Sequence, residues 1–233
     1  MSTQNKMNTN INNAPEMHQK DYWERKQLTK RRPPEHPVIA EYILPKIDLL
    51  RQYVDLTPQT RLLDVGCGNG FFTYYFDRIC DVHGVDYSEK MLEINPVKKT
   101  SLMSADDLKF DDNSFDVAFC HALLHHVEDM AKVIQEMRRV SKKYVIILEP
   151  NRNNPLMFLF SSLVKQERKA LKFSLSYLRN LVTENNLRVV TSFSYGMIVP
   201  NKTPAFALPL LRLFNFKQPL GMTNFVIAQK DQN

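Results

Sequence analysis

Cysteine is scarce in this chain of 233 residues, which has only Cys67, Cys80 and Cys120. An odd number without metal-type spacing argues against a disulfide framework and fits a reducing compartment. Long apolar runs are also missing. None approaches the ~18 residues that suggest a membrane-spanning helix, so no span is expected. Residues 1–13 hold no apolar core ahead of a cleavage site, so the expectation is no secretory signal and a cytoplasmic location. Nor does one sign of charge dominate: 31 Lys and Arg stand against 25 Asp and Glu, a formal net charge of +6. That surplus favours encounters with nucleic acid, phosphorylated sugars or a membrane surface, without selecting among them. No internal repeat is present.

Hydrophobic residues make up 43% of the chain and charged residues 24%. These are ordinary globular values, and the length suits one domain with a sizeable core better than two. Residues 1–17, rich in Asn, Thr and Gln, read as a disordered tail. Residues 21–32 suggest a short helix carrying Tyr22 and Trp23, ended by Pro33-Pro34. Residues 37–53 place Ile39, Tyr42, Ile43, Ile47, Leu50 and Tyr53 at helical spacing, and Pro45 should kink or divide that helix. A repeating order follows. Strands are expected at 61–65, 82–86, 100–103, 115–120 and 144–148. Helices are expected at 71–78, after a Ser88 cap, and at 129–140. This alternation argues for an α/β fold, a parallel sheet with helices on both faces. The last third differs: a helix at 174–185, strands at 188–194 and 224–229, and a Pro-, Leu- and Phe-rich stretch at 196–222.

Gly66, Gly68 and Gly70 directly follow the first strand and open a helix. Glycine there permits a tight turn and a close ligand approach. A loop at the carboxyl end of a parallel strand is the expected ligand site of such a sheet. Asp86 closes the second strand, where a carboxylate can accept hydrogen bonds from both hydroxyls of a ribose. The dinucleotide fingerprint would place its third glycine at position 71, where this chain has Phe. The third glycine comes one residue early, at Gly70, and an acid, Asp64, precedes the loop, suited to an ammonium group. These departures favour a cofactor without phosphates and disfavour an oxidoreductase.

The segment Leu-Leu-Asp-Val-Gly-Cys-Gly-Asn-Gly (62–70) resembles motif I of class I S-adenosylmethionine-dependent methyltransferases. Gly-Val-Asp-Tyr-Ser-Glu-Lys-Met-Leu (84–92) resembles motif II. Residues 106–117 and Leu-Leu-His-His-Val-Glu-Asp (123–129) are similar to the stretches that follow, at matching spacing. The resemblance covers roughly residues 55–150. It implies a Rossmann-like, seven-stranded, mostly parallel sheet whose last strand is antiparallel, with apolar insertions in the C-terminal third. It divides the chain into the tail at 1–17, an N-terminal helical lid at 18–54 and a methyltransferase domain at 55–233. Within that domain 55–150 is the cofactor half and 151–222 holds acceptor-side elements. It implies S-adenosyl-L-methionine as cofactor. Gly66, Gly68 and Gly70, with Cys67 and Asp64, would hold the methionine part. Asp86 would hold the ribose, Tyr87 and Met91 would flank the adenine, and Ala105 and Asp106 would meet its edge. Cys120 and His121 would lie near the methionine end. Many relatives carry an acid where this chain has Ser104, so Ser104 or Asp106 takes over the adenine amino contact.

Methyl transfer is an in-line displacement from an activated donor, so the protein mainly aligns the acceptor. A general base is needed only where the acceptor loses a proton. His121, His125 and His126 after the fourth strand, and Glu149 at the end of the fifth strand, are the candidates. The alternative is that the histidines pack the turn and Glu149 sits in an ordinary loop. No metal is expected, because adjacent histidines on an α-helix point about 100° apart. Asn-Pro-Pro-Tyr, a signature of enzymes acting on base or amide nitrogens, is absent.

The apolar stretches 155–164 and 203–216, with Arg212 and Lys217 nearby, suggest a small-molecule or lipid-like acceptor methylated on oxygen or carbon. They also suggest peripheral contact with a membrane. The same stretches could instead pack on each other or form a dimer face, which leaves monomer or homodimer open. A nucleic-acid (RNA) methyltransferase is the lesser alternative. Apart from Lys30-Arg31-Arg32 and Arg138-Arg139, the cations are scattered. A non-catalytic cofactor-binding module is the third reading.

Overall fold

A computed structural model describes residues 31–231. The tail at 1–17 and the candidate lid residues Tyr22 and Trp23 lie outside the described residues. Strands β1 (Arg61–Val65), β2 (Asp81–Asp86), β3 (Thr100–Leu102), β4 (Phe115–His121), β5 (Ser141–Pro150), β6 (Leu187–Tyr195) and β7 (Thr223–Lys230) form one sheet. Their order is β3-β2-β1-β4-β5-β7-β6. The first five pair in parallel, and β7 runs antiparallel to both β5 and β6. This is the Rossmann-like seven-stranded sheet with an antiparallel last strand that the sequence implied.

The central strands read as nearly continuous apolar runs because both of their faces are buried. Successive side chains of a strand point to opposite faces. Leu62, Val117, Phe119, Ile146, Leu148, Phe225 and Ile227 therefore enter one core. Leu63, Val65, Ala118, Cys120, Val145, Ile147, Val226 and Ala228 enter the other. Helices α1 (Pro37–Arg51) and α2 (Thr73–Phe76) cover the first face. On the second face lie α4 (Met130–Val140), through Val133, Ile134, Met137 and Val140, and α6 (Leu175–Glu184), through Leu178 and Val182.

Helix α1 is not divided at Pro45. An interior proline costs ~3 kcal/mol or more. Val38, Ile39, Ile43, Ile47 and Leu50 are buried on the sheet side, each contributing roughly 1.5–3 kcal/mol. Packing thus outweighs the backbone penalty. Helix α3 (Glu89–Glu93) begins where expected, with the Ser88 hydroxyl accepting from Met91 N. After β5, Asn154 caps α5 (Pro155–Leu163) by accepting from the amides of Leu156 and Met157. A 3₁₀ segment (Lys165–Lys172) follows. The connection from β6 to β7 holds a 3₁₀ turn (Ala205–Ala207) and the short α7 (Leu208–Arg212). Among the described residues no helix is long and apolar enough to cross a membrane. The strand order reverses between β1 and β4, which opens a crevice at their carboxyl ends.

Candidate active site

The crevice holds a cavity of about 190 Å³. Its floor is the loop after β1. Gly66, Gly68 and Gly70 have φ of 74°, 52° and 86°, a region that L side chains rarely adopt. The amides of Gly66 and Cys67 both donate to Val85 O, at 2.8 and 3.0 Å, which pins the loop to β2. Asp86 at the end of β2 completes the turn. Its Oδ2 accepts from Gly68 N at 2.8 Å and its Oδ1 from Ser88 N at 2.9 Å. Burial pushes the Asp86 carboxyl above the usual carboxylate range, against the pull of those amides. Asp64 is also buried. Its Oδ2 accepts from Thr73 Oγ1 at 2.7 Å, and burial pushes its carboxyl up to about 7.

Among the residues predicted from sequence, Asp64, Gly66, Cys67, Gly68, Asp86, Tyr87, Met91 and His121 line this cavity. Gly70, Ala105, Asp106, Cys120, His125 and Glu149 do not. Gly70 serves the turn: a Cβ there would fall 2.5 Å from Asn95 Oδ1. Asn95 in turn donates to Gly68 O at 3.1 Å. Gly70→Ala is therefore expected to cost ~2 kcal/mol or more, from the positive φ and the clash together. Chemical denaturation checks this, and a loss under ~0.5 kcal/mol would contradict it. Ala105 packs against the second core. Asp106 accepts from Ser104 Oγ and lies 3.6 Å from Lys132 Nζ. Cys120 faces the second core.

At the end of β4, His121 Nε2 lies 2.7 Å from Tyr42 Oη, and its ring lies 4.9 Å from that of Phe72. Burial, reinforced by Lys46 and Arg31, pushes the imidazole down to about 3, so it is neutral. Burial also raises the Tyr42 hydroxyl well above its ordinary range, so it keeps its proton. Ala122 follows with φ 52°, and Leu124–His126 form a 3₁₀ turn.

Glu149 is fully buried beneath that turn. Its Oε1 accepts from the amides of Leu123 and Leu124 at 2.9 and 2.7 Å. Its Oε2 lies 2.6 Å from His125 Nδ1. His125 Nε2 lies 3.2 Å from Glu167 Oε2 in the 3₁₀ segment after α5. Burial opposes charge on His125, but the Glu149 and Glu167 carboxylates outweigh it and push the imidazole up to about 10. The structure thus places His125 and Glu149 in a buried network behind the cavity wall.

Phe71 and His126, singled out in the sequence beside the loop and after the fourth strand, also line it, and six lining residues carry no such sequence reading: Arg31, Phe72, Ala122, Leu123, Pro200 and Asn201. Arg31 donates to Asn69 Oδ1 at 2.7 Å and lies 5.4 Å from the Phe71 ring centroid. Arg32 donates to the carbonyls of Pro200 and Thr203 at 2.8 and 2.7 Å, tying the residues before α1 to the loop after β6. For Arg31 and Arg32 the sequence signal is the basic run Lys30-Arg31-Arg32.

Residues 63–148 match the family model described as a methyltransferase domain. A demethylmenaquinone methyltransferase of Staphylococcus aureus is 31% identical over 115 residues, covering 45% of this chain and 48% of that protein. The chain thus spans about half the length of the curated relatives it matches. Among solved structures, a possible histamine N-methyltransferase of Thermotoga maritima superposes with a TM-score of 0.61 at 20% identity, covering 83% of this chain and 99% of that one. The magnesium protoporphyrin IX methyltransferase of Synechocystis PCC 6803, solved with bound S-adenosylmethionine, superposes with a TM-score of 0.64 at 15% identity, covering 96% and 100%. At these identities the likeness establishes the fold. Together with the family match and the glycine loop, it shows that the chain carries a class I S-adenosylmethionine-dependent methyltransferase domain.

Proposed function

We propose that the chain methylates oxygen or carbon of a lipid-like, quinone-type acceptor drawn from a membrane surface. The observation that carries this reading is a set of exposed apolar side chains on the elements after β5 and β6. Leu156, Phe158, Leu159 and Leu163 of α5 are exposed, as are Phe206, Leu210, Leu213 and Phe216 beyond the cavity-lining Pro200 and Asn201. Phe206 is 87% exposed. Lys165, Arg168 and Lys172 follow α5, while Arg212 and Lys217 of the second group are held by Glu41 and Tyr53. Apolar anchors beside cations suit an anionic bilayer surface. The name of the Staphylococcus aureus relative points to the same acceptor class.

When bound, S-adenosylmethionine supplies an activated methyl group. The fit rests on the glycine cradle and on two charges of opposite sign in one cavity. Asp64 suits the ammonium and Arg31 the carboxylate of the methionine moiety. Asp86 suits the ribose diol, and Tyr87 and Met91 the adenine. His121, neutral and braced by Tyr42, is too weakly basic to be an efficient proton acceptor near neutral pH. Its role here is to orient the acceptor and exclude water. His125 and Glu149 support the wall rather than touch substrate. The RNA reading is weakened because the described cations of the two basic runs are engaged within the chain. Arg31 and Arg32 are bonded as described, and Arg138 and Arg139 donate to Asn186 O and to Glu136.

The test supplies methyl-labelled S-adenosylmethionine with anionic vesicles containing a demethylated isoprenyl quinone (in its reduced form), and with RNA in parallel. Label is expected in the lipid extract, together with sedimentation of the chain on the vesicles. Phe206→Ser with Leu210→Ser should weaken vesicle binding by roughly tenfold or more, given ~1.5–3 kcal/mol per inserted side chain. Label in RNA alone would overturn the proposal.

A further inference from the structure

We propose that His125, His126 and Glu167 form a site for one divalent transition-metal ion of the zinc class, set in the wall of the cavity. One ligand atom from each lies within 4.8 Å of the others. Two adjacent histidines on an α-helix would diverge by about 100°. These two sit on a 3₁₀ turn, and their ring centroids are 3.9 Å apart. The third ligand arrives from the segment after α5. His125 Nε2 and Glu167 Oε2 are 3.2 Å apart, near the ~3.4 Å edge of a tetrahedron built with zinc–ligand bonds of about 2.1 Å.

The hydrogen bonding of His125 fits the same assignment. Glu149 Oε2, an acceptor only, lies 2.6 Å from His125 Nδ1, so that nitrogen carries the proton. In the neutral ring Nε2 then presents a lone pair, and it faces a carboxylate oxygen of Glu167. Either a proton or a metal ion can sit between that nitrogen and the Glu167 oxygen 3.2 Å away. A second ring proton is one answer. It leaves two carboxylates against one imidazolium in a buried place. A divalent ion with a neutral ring cancels both carboxylate charges. The nearby Lys169 ammonium is already engaged by Val127 O at 2.9 Å and Glu128 Oε1 at 3.0 Å. A carboxylate holding the far nitrogen of a ligating histidine is the usual outer partner of such sites. Two imidazoles and one carboxylate favour zinc, cobalt or iron over magnesium. His126 lines the cavity, so a further coordination position would face it. The proposal does not depend on the methyl-transfer reading.

The test uses the full chain, stripped with chelator and then titrated with Co²⁺ alone, Zn²⁺ alone and Mg²⁺ alone. One Co²⁺ per chain is expected, with visible absorption of nitrogen and oxygen ligation, displaced by Zn²⁺. Glu167→Gln and His126→Gln should each weaken Co²⁺ affinity by tenfold or more, while circular dichroism and the urea unfolding midpoint report that the variants fold. The wild-type spectrum decides the matter should a variant fail to fold. Thiolate charge-transfer bands would place the ion at a cysteine and overturn the proposal. So would unchanged affinity in both variants, uptake of Mg²⁺ alone, or no uptake at all.

Discussion

Glu149→Ala is expected to cost about 3–5 kcal/mol of stability, the usual cost of breaking a buried charge pair from one side. The carboxylate is fully buried, and its removal leaves three donors behind: the amides of Leu123 and Leu124 and the Nδ1–H of His125. Each orphaned buried donor costs roughly 1–3 kcal/mol, partly relieved if water enters the hole. For a domain of this size the melting temperature should fall on the order of 10 °C, at ~2–4 °C per kcal/mol. Glu149→Gln keeps an acceptor oxygen for the two amides and loses the charge beside His125, so its loss should be clearly smaller. Urea unfolding of the chelated wild type and both variants measures this. Equal midpoints for wild type and Glu149→Ala would remove Glu149 from the framework of the wall and reopen a role at the acceptor.

The glycine loop was legible because all of its signals are local. Strand β1 begins and ends where the apolar run and the glycine cluster put it, at Arg61–Val65. Asp64, Asp86, Tyr87 and Met91 follow from short motifs on two adjacent strands, and the parallel register of β1 with β2 brings them together. Strand β5 was read too short. Its first residues include the exposed Lys142 and Lys143, which carry no apolar signal although their backbone continues the ladder. The helix expected at 71–78 shrinks to Thr73–Phe76, with turns on either side. What stayed hidden depends on long-range approach. Arg31 meets Asn69, 38 positions on, and Arg32 meets Pro200, 168 positions on. His125 meets Glu167 across 42 positions. No local periodicity encodes such pairs. They arise when the carboxyl ends of separate strands converge at the switch point between β1 and β4. The same convergence turns Glu149 inward. Its strand neighbours Leu148 and Pro150 obey the pleat, but only the fold shows that the turn after β4 lies over its carboxylate.

Asp86→Ala is expected to weaken binding of S-adenosylhomocysteine by at least ~100-fold while the chain stays folded. Two losses add. The first is direct: a ribose diol would forfeit two hydrogen bonds to a charged acceptor, each worth ~1.5–3 kcal/mol. The second is local, because Gly68 N and Ser88 N lose the oxygens that now hold them at 2.8 and 2.9 Å. Gly68 sits at φ 52°, so the cradle depends on that tether to keep its shape. Even one ribose bond and one tether together exceed the ~2.7 kcal/mol that a 100-fold change requires. Asp86→Asn separates the two effects. Its amide nitrogen must face one of the two backbone donors, so it breaks one tether and keeps an acceptor for the other, and its affinity should fall between wild type and alanine. Calorimetric titration with S-adenosylhomocysteine and with NADH, alongside circular dichroism, reads the result. NADH is expected not to bind any of the three proteins, because Phe71 stands where a pyrophosphate loop needs glycine and lines the cavity. Affinity for S-adenosylhomocysteine within threefold of wild type in a folded Asp86→Ala chain would move the ribose elsewhere. The Gly68–Asp86 contact would then be a purely structural clasp between β1 and β2.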